Sequence, residues 1–471
     1  MSTPKKLLAT LVAGVSAATL LTGCPGNVQV LQVNLENPNL RVGESTTLRL
    51  EALAAWFRTP VFYYRAKRGR VVGMNGESNA RGQYVRATNI VKYYAPYTSS
   101  FPAPEGGLSQ NDEIEIRAQD GAYITTVVRS IQITGSSVVF SSVAEGGQNG
   151  SLLMARDSGA GQLSPPEPMR DLAGQQLRGS SPSISPNGER IAYVNYPGDG
   201  TAKIMMRDAS GQVLSLTNYP KGLCVDPSWS PDGNFLLFAS THETNDGTYE
   251  VYMMNVDQNQ GGLAVTRLTN NNWDDRHPSW NPVLTAPEDR VIAVTARKNN
   301  LTSPGGRAQN WNVFLMSRNG AYTREISAVQ GDGDNWAVEP SWRPDGNALA
   351  YTRFGPVNNY QSGASKFQRI FVQELQSSPT LVPLNISNTD PNSRESSPIW
   401  ATDGRSDIMF LRTEGNFQAA ARVYRTTYQA GSSGNTFLPQ LIAPFQGLNL
   451  PLTIVGGTNR DISGFHTYDW R

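Results

Sequence analysis

The sequence predicts an all-β protein of two parts, a two-sheet sandwich followed by a six-bladed propeller closed by the C-terminal strand. Three observations carry this expectation. Apolar and polar residues alternate in short segments between residues 28 and 135. A Pro-Ser-Trp motif recurs from residue 181 onward. Gly (44) and Pro (30) are frequent in a chain of 471 residues, which favours many turns over a helical bundle. The length also exceeds what one hydrophobic core usually organises.

The sandwich rests on period-two patterning. Val28, Val30 and Val33 alternate with Gln29, Gln32 and Asn34 along Val28–Leu35, and Pro38 breaks the run. Thr46–Ala52, Val61–Arg65, Ile90–Tyr94, Glu113–Ala118 and Ile124–Ile133 continue the series. Half-buried strands at this spacing suggest two sheets packed face to face. Arg41-Val42-Gly43-Glu44, Tyr94-Ala95-Pro96 and the run Asp112–Asp120 resemble bacterial immunoglobulin-like domains over about 105 residues. Within this part, Arg65-Ala66-Lys67-Arg68-Gly69-Arg70 reads as a solvated hairpin around Gly69, with contact to anionic lipid or glycan as the functional alternative.

The propeller rests on five copies of one phrase. They are Ser181-Pro182-Ser183-Ile184-Ser185-Pro186-Asn187-Gly188, Asp226-Pro227-Ser228-Trp229-Ser230-Pro231-Asp232-Gly233, His277-Pro278-Ser279-Trp280-Asn281-Pro282, Glu339-Pro340-Ser341-Trp342-Arg343-Pro344-Asp345-Gly346 and Ser397-Pro398-Ile399-Trp400-Ala401-Thr402-Asp403-Gly404. Their first prolines stand 45, 51, 62 and 58 residues apart, close to one four-stranded blade each. Pro-Asp-Gly makes a tight turn: Pro presets φ, Asp bonds the local backbone and Gly takes positive φ. An apolar strand, an aromatic-rich strand and a short strand ending in Leu or Ile with Thr or Ser follow each copy, as at Leu216-Thr217, Leu268-Thr269 and Ile326-Ser327. Trp and the apolar strand supply surface to bury between neighbouring sheets. Val138–Val143 and Ser151–Arg156 read as strands of a blade lacking its own first strand, and His466–Trp470 reads as that strand, so the two chain ends make the sixth blade.

These repeats resemble the WD40-like propeller repeats of the TolB family, whose hallmark is a PSWSPDG turn. The resemblance covers about 335 residues. The N-terminal part departs from TolB, which carries an α/β domain and is a soluble periplasmic protein, so the resemblance implies the propeller and not TolB's identity or partners.

The first segment implies export. Lys5 and Lys6 precede an apolar run, Leu7 to Leu21, which is too short for a comfortable membrane span and suits a signal peptide. It ends in Leu21-Thr22-Gly23-Cys24, which resembles the lipobox of bacterial lipoproteins. That likeness implies cleavage before Cys24, lipid attachment to it and, because Pro25 follows rather than Asp, sorting to the outer membrane. The expected divisions are a signal peptide (1–23), a lipidated tether (24–27), an Ig-like sandwich (28–135) and a TolB-like propeller (136–471).

Net charge is +1, from 40 basic and 39 acidic residues, which gives no reason to expect nucleic acid as a partner. Catalytic signatures are sparse. Peptidases with related propellers need a Gly-x-Ser-x-Gly elbow, which does not occur. Oligogalacturonate lyases use clustered histidines and a metal, whereas this chain has three histidines, His242, His277 and His466, in no metal-ligand pattern. Gly331-Asp332-Gly333-Asp334-Asn335 lacks the later bidentate Glu of a calcium loop. Cys224 reads as a small buried hydrophobe. No cofactor is implied.

One spatial expectation remains. Asp226, Asp275, Glu339 and Glu395 precede the Pro-Ser-Trp strands and are expected to gather at one mouth of the channel; His277 and His466, near the starts of innermost strands, either face it or are ordinary loop histidines. Such a ring would attract a cation or basic segment, or else satisfy backbone amides. The sequence therefore predicts a non-catalytic, membrane-anchored scaffold whose propeller meets an envelope protein or glycan. The alternatives are a glycan-active hydrolase or lyase using channel carboxylates, and a small-ligand or ion sensor.

Overall fold

The computed structural model describes residues 28–54, 59–77, 83–96, 111–142, 149–157, 164–256, 264–297, 310–327, 336–356, 366–375, 393–400, 407–413 and 422–428, and short pieces at 101–102, 108–109, 384–385, 440–441, 454–455, 462–463 and 468–470. Cys24, His466 and the loop 331–335 lie outside the described residues.

The N-terminal part is two sheets over one core. One sheet orders Gln29–Leu35, Ser45–Leu53, Ile90–Tyr94 and Arg70–Gly73. The other orders Asn39–Arg41, Tyr123–Thr134, Asn111–Asp120, Val61–Ala66 and Val85–Ala87. The predicted alternation places Leu48, Leu50, Val91 and Tyr93 of the first sheet against Tyr64, Ile114, Ile116, Ile131 and Ile133 of the second. The short strands Asn39–Arg41, Arg70–Gly73 and Val85–Ala87 were not expected, since three or four residues cannot display a clear period.

The basic run is not a solvated hairpin. Buried Asp112 accepts the amides of Arg68 (3.0 Å) and Gly69 (2.6 Å) and the Tyr93 hydroxyl (2.7 Å), which clamps the turn against the core. A Cβ on Gly69 would lie 2.4 Å from the Tyr93 hydroxyl oxygen, so the close approach needs glycine. Arg65 pairs with Glu115, and Arg70 pairs with Asp208 of the repeat region. The run thus supplies a contact between the N-terminal sheets and the repeat sheets. Arg156 reinforces it by donating from Nε to the Val42 carbonyl at 2.9 Å, and Tyr94 packs on the cluster holding Met154, Met169 and Tyr193. The chain turns from one part to the other at Gly135, where φ is 85°.

Beyond Gly135 the strands form repeating antiparallel sheets. Repeat sheet 1 orders Arg178–Ile184, Arg190–Asn195, Lys203–Asp208 and Val213–Ser215; sheet 2 orders Cys224–Trp229, Phe235–Ser240, Glu250–Asn255 and Val265–Arg267. Sheet 3 orders Asp274–Trp280, Ile292–Arg297, Trp311–Met316 and Tyr322–Glu325. Sheet 4 orders Trp336–Trp342, Ala348–Pro356, Lys366–Glu374 and Leu384–Asn385, and sheet 5 orders Arg394–Trp400, Asp407–Thr413, Arg422–Thr427 and Gln440–Leu441. Tyr468–Trp470, Ser136–Ser141, Gly150–Asp157 and Glu167–Pro168 are ordered next to one another, so the C-terminal strand pairs with the first strand after Gly135, and pairing of Gly150 and Ser151 with Gly179 and Arg178 joins these strands to sheet 1. First strands of successive sheets touch, and Tyr468–Trp470 touches those of sheets 1 and 5.

The repeated residues explain the repeated structure. Ser230 accepts the Phe235 amide while Gly233 donates to the Ser230 carbonyl, and Gly233 has φ 72°, so the turn closes as its sequence requires. Trp229 donates from Nε1 to the Ser183 carbonyl of the preceding sheet at 3.0 Å, and Trp342 does the same to Ser279 at 3.1 Å. The small polar residue after each outer strand also has a role. Thr217, Thr269 and Ser327 accept the amides of Ile204, Val251 and Val313 at 2.9, 2.9 and 3.0 Å, satisfying buried donors of the third strand. Apolar clusters lie between sheets 1 and 2, 2 and 3, 3 and 4, and 4 and 5.

Candidate functional site: the residues before the repeat prolines

Ser181, Asp226, His277, Glu339 and Ser397 each precede the first proline of a repeat, and they are the non-glycine residues with positive φ among the described residues. Their φ values are 47°, 55°, 48°, 60° and 54°. Each sits where the register between first and second strands slips, as between Val225 and Ser228 or Val338 and Ser341. The bulge turns the chain sharply and requires a left-handed residue that is not β-branched. Left-handed backbone costs about 1–2 kcal/mol for an ordinary L-residue, so something around it must hold it there.

In three of the five, the preceding sheet holds it. His277 donates its amide to Asp226 Oδ2 (3.2 Å), and Glu339 donates its amide to Thr295 Oγ1 (3.2 Å). Ser397 donates its amide to Glu339 Oε2 (2.8 Å), and its hydroxyl to Glu339 Oε1 (3.1 Å). Thr352 supports the same carboxylate at 2.9 Å. All five residues are buried. At His277, Glu339 and Ser397 the strained amide of one sheet is thus received by an oxygen of the sheet before it.

Two of the four predicted acids belong to this set, and two do not. Asp226 and Glu339 are the left-handed residues themselves, whereas Asp275 and Glu395 stand two positions earlier in their strands. Each acid is buried and bonded within the chain. Asp226 accepts from Arg276 Nε at 2.7 Å. Burial alone would lower the Arg276 guanidinium, but the Asp226 carboxylate more than offsets this and holds it charged. Arg276 also lies over the Tyr249 ring at 4.3 Å. Asp275 accepts from the Tyr322 hydroxyl and from Asn271 Nδ2 (3.0 Å), and burial pushes its carboxyl up to about 7. Glu250, which accepts the Asn271 amide at 2.9 Å, adds to that rise. Glu395 accepts the Ile370 amide at 3.4 Å and faces Arg412 at 3.9 Å. His277 is buried with Nε2 3.9 Å from Asp226.

Sequence reading missed Arg276, Thr295, Thr352 and Ser397. Its available signal was that the position before each proline carries Ser, Asp, His or Glu and never Val, Ile or Thr. Elsewhere, Cys224 is buried as expected, yet the fold brings a base near it. Its Sγ lies 3.3 Å from Ser240 Oγ, which lies 2.9 Å from His242 Nδ1. Burial pushes the thiol up and the imidazole down, so both are held neutral. Among the described residues, no group of three or more His, Cys, Asp or Glu side chains is arranged to hold a metal ion.

Residues 174–286, which span sheets 1 and 2 and the first strand of sheet 3, match the family described as TolB beta propeller domain. The chain carries a TolB-like β-propeller. It is similar to the Tol-Pal system protein TolB of Francisella tularensis subsp. mediasiatica, with 26% identity over 210 residues covering 43% of each chain. It is also similar to an uncharacterized protein of Agrobacterium fabrum, with 27% identity over 173 residues covering 37% of this chain and 54% of that one. The chain thus spans about half the length of these relatives, and it is TolB-like without being TolB itself. Among solved structures, TolB from Acinetobacter baumannii aligns over 85% of this chain and 94% of its own, at 15% identity and a TM-score of 0.41.

Proposed function

We propose that this chain is a membrane-tethered scaffold of the bacterial cell envelope whose propeller binds another envelope protein. One observation carries the reading. The side chains of Asp226, Glu339 and Ser397 at the repeat prolines are bonded between neighbouring sheets, so the buried chemistry of these inner strands serves rigidity and leaves recognition to the outer surface. The four carboxylates, on this reading, serve closure of the ring and not a soluble ligand.

The architecture proposed with it is an Ig-like spacer at 28–135 and a six-bladed propeller at 136–471. Pairing of Tyr468–Trp470 with Val138–Phe140 supports a sixth blade made from both chain ends. Velcro-like closure leaves no long exposed edge in the ring. The Arg70–Asp208 pair supports a spacer that holds the propeller at a fixed angle.

Anchorage is assigned to a lipid on Cys24, with the outer membrane as the proposed destination. Replacing Cys24 by Ala and fractionating cells tests it. Release of the chain into the soluble fraction is expected, and unchanged retention in the membrane fraction contradicts it.

A further inference from the structure

Among the described residues, the strand Tyr123–Thr134 is an open sheet edge over most of its length. From Tyr123 to Gln132 it pairs with Asn111–Asp120 on one side. On the other side, among the described residues, the only strand it pairs with is Asn39–Arg41, at Gln132, Ile133 and Thr134. The amide of Gln132 points outward to the Pro38 carbonyl, so by strand alternation the amides and carbonyls of Ile124, Thr126, Val128 and Ser130 also face the open side. Tyr123, Ile124 and Val128 are 50%, 52% and 50% exposed. The segment Tyr-Ile-Thr-Thr-Val-Val-Arg-Ser is rich in β-branched residues and has no proline. It lacks most devices that keep an edge single. The exception is Arg129, whose Nη1 donates to the adjacent Val128 carbonyl at 3.1 Å.

We infer that this edge pairs antiparallel with the same edge of a second copy of the chain, about a two-fold axis at Thr126. The side chains favour that register. With Thr126 opposite itself, Ile124 of each copy stands opposite Val128 of the other, twice, on the same face. Tyr123 of each copy then stands opposite Arg129 of the other, giving a ring-to-guanidinium contact at both ends and no opposed like charges. Thr125 and Val127, both half-buried, oppose one another on the inner face. The length fits as well. The hairpin turn at Gly121–Ala122 of the copy ends the new pairing beside Ser130 and Ile131, just before Asn39–Arg41 takes over the edge. Lipid is a poorer occupant, because an open sheet edge in hydrocarbon leaves its amides and carbonyls unpaired.

The pairing is compatible with the proposed anchor without depending on it. Thr125 donates its hydroxyl to the Val28 carbonyl, so each tether starts beside the joint. Edge pairing keeps both copies on the same face of the joined sheet, so both tethers leave on one side.

The test is crosslinking of the full chain in membranes. Thr126→Cys is expected to give a disulfide-linked dimer on mild oxidation, since the two Cα atoms of a directly opposed pair lie about 5.5 Å apart. Ser130→Cys is expected to give none, because its two copies fall roughly 25 Å apart in this register. Ile124→Lys with Val128→Lys should abolish the Thr126→Cys crosslink while leaving the thermal transition in place. Absence of the Thr126→Cys dimer, or equal yields at Thr126 and Ser130, overturns the inference. Loss of vesicle flotation by the Cys24→Ala chain on adding Ile124→Lys would assign the face to lipid and overturn it equally.

Discussion

Arg276 in repeat sheet 3 donates from Nε to the carboxylate of Asp226 in sheet 2 at 2.7 Å, and both side chains are almost completely buried. The same carboxylate receives the amide of left-handed His277 at 3.2 Å. A single acid therefore neutralises a buried cation and restrains a strained backbone. Neither task is visible in sheet 2 alone.

Asp226→Ala should destabilise the propeller by about 3–5 kcal/mol, because it strands Arg276 as an unpaired buried charge. The double variant Asp226→Ala/Arg276→Met should lose less than Asp226→Ala alone, since the stranded charge is then gone. Urea unfolding of the three proteins measures this. Equal losses in the single and double variants would show that the pair carries no coupling.

The left-handed positions predict an inverted substitution pattern at Ser181, whose φ is 47°. Glycine there should stay within about 1 kcal/mol of the parent, because relief of strain offsets its greater chain entropy. Valine should cost more than about 2 kcal/mol, since a β-branched side chain opposes both the bulge and its burial. Thermal melts of the two variants check the order.

How much of this was legible in the sequence differs by feature. Turns, blade grammar and the closing strand were readable because Pro-Asp-Gly and Trp act locally and repeat. The role of Asp226 was not, because its partners Arg276 and His277 lie in the next repeat. The separate roles of Asp275 and Glu395 have a physical cause. They stand two residues before the left-handed position, so they bond outside the set of strained amides that Asp226 and Glu339 join, and no local pattern in the sequence marks that difference. Arg70 was read as solvated because its acid, Asp208, lies in the other part of the chain.

Asp275 predicts a pH dependence. Its folded carboxyl is raised to about 7 from an ordinary 3.8. The folded state therefore holds a proton that the unfolded state releases at lower pH. The associated stability is fully present below about pH 4 and is lost as pH rises through about 7. Asp275→Asn keeps an acceptor for Tyr322 and should flatten the stability profile between pH 4 and 7. Chemical denaturation across that range checks the slope.

Arg70 predicts the coupling of the two parts. Arg70→Ala removes the pair with Asp208 and the contact to Gln212 at 3.4 Å. Overall stability should fall by only about 1 kcal/mol, because the pair is partly exposed. The order between the N-terminal sheets and the repeat sheets should fall more, read as faster proteolytic cleavage near Gly135. Asp208 is the poorer target, since it also accepts the amides of Ser210 and Gln212.

The most direct measurement is quantitative affinity capture of the full chain from detergent-solubilised envelope, with the eluate screened for depolymerisation of envelope polysaccharides. A tethered scaffold predicts one envelope protein recovered in fixed ratio to the chain and no turnover. Turnover of a polysaccharide, with no protein recovered in fixed ratio, would contradict it.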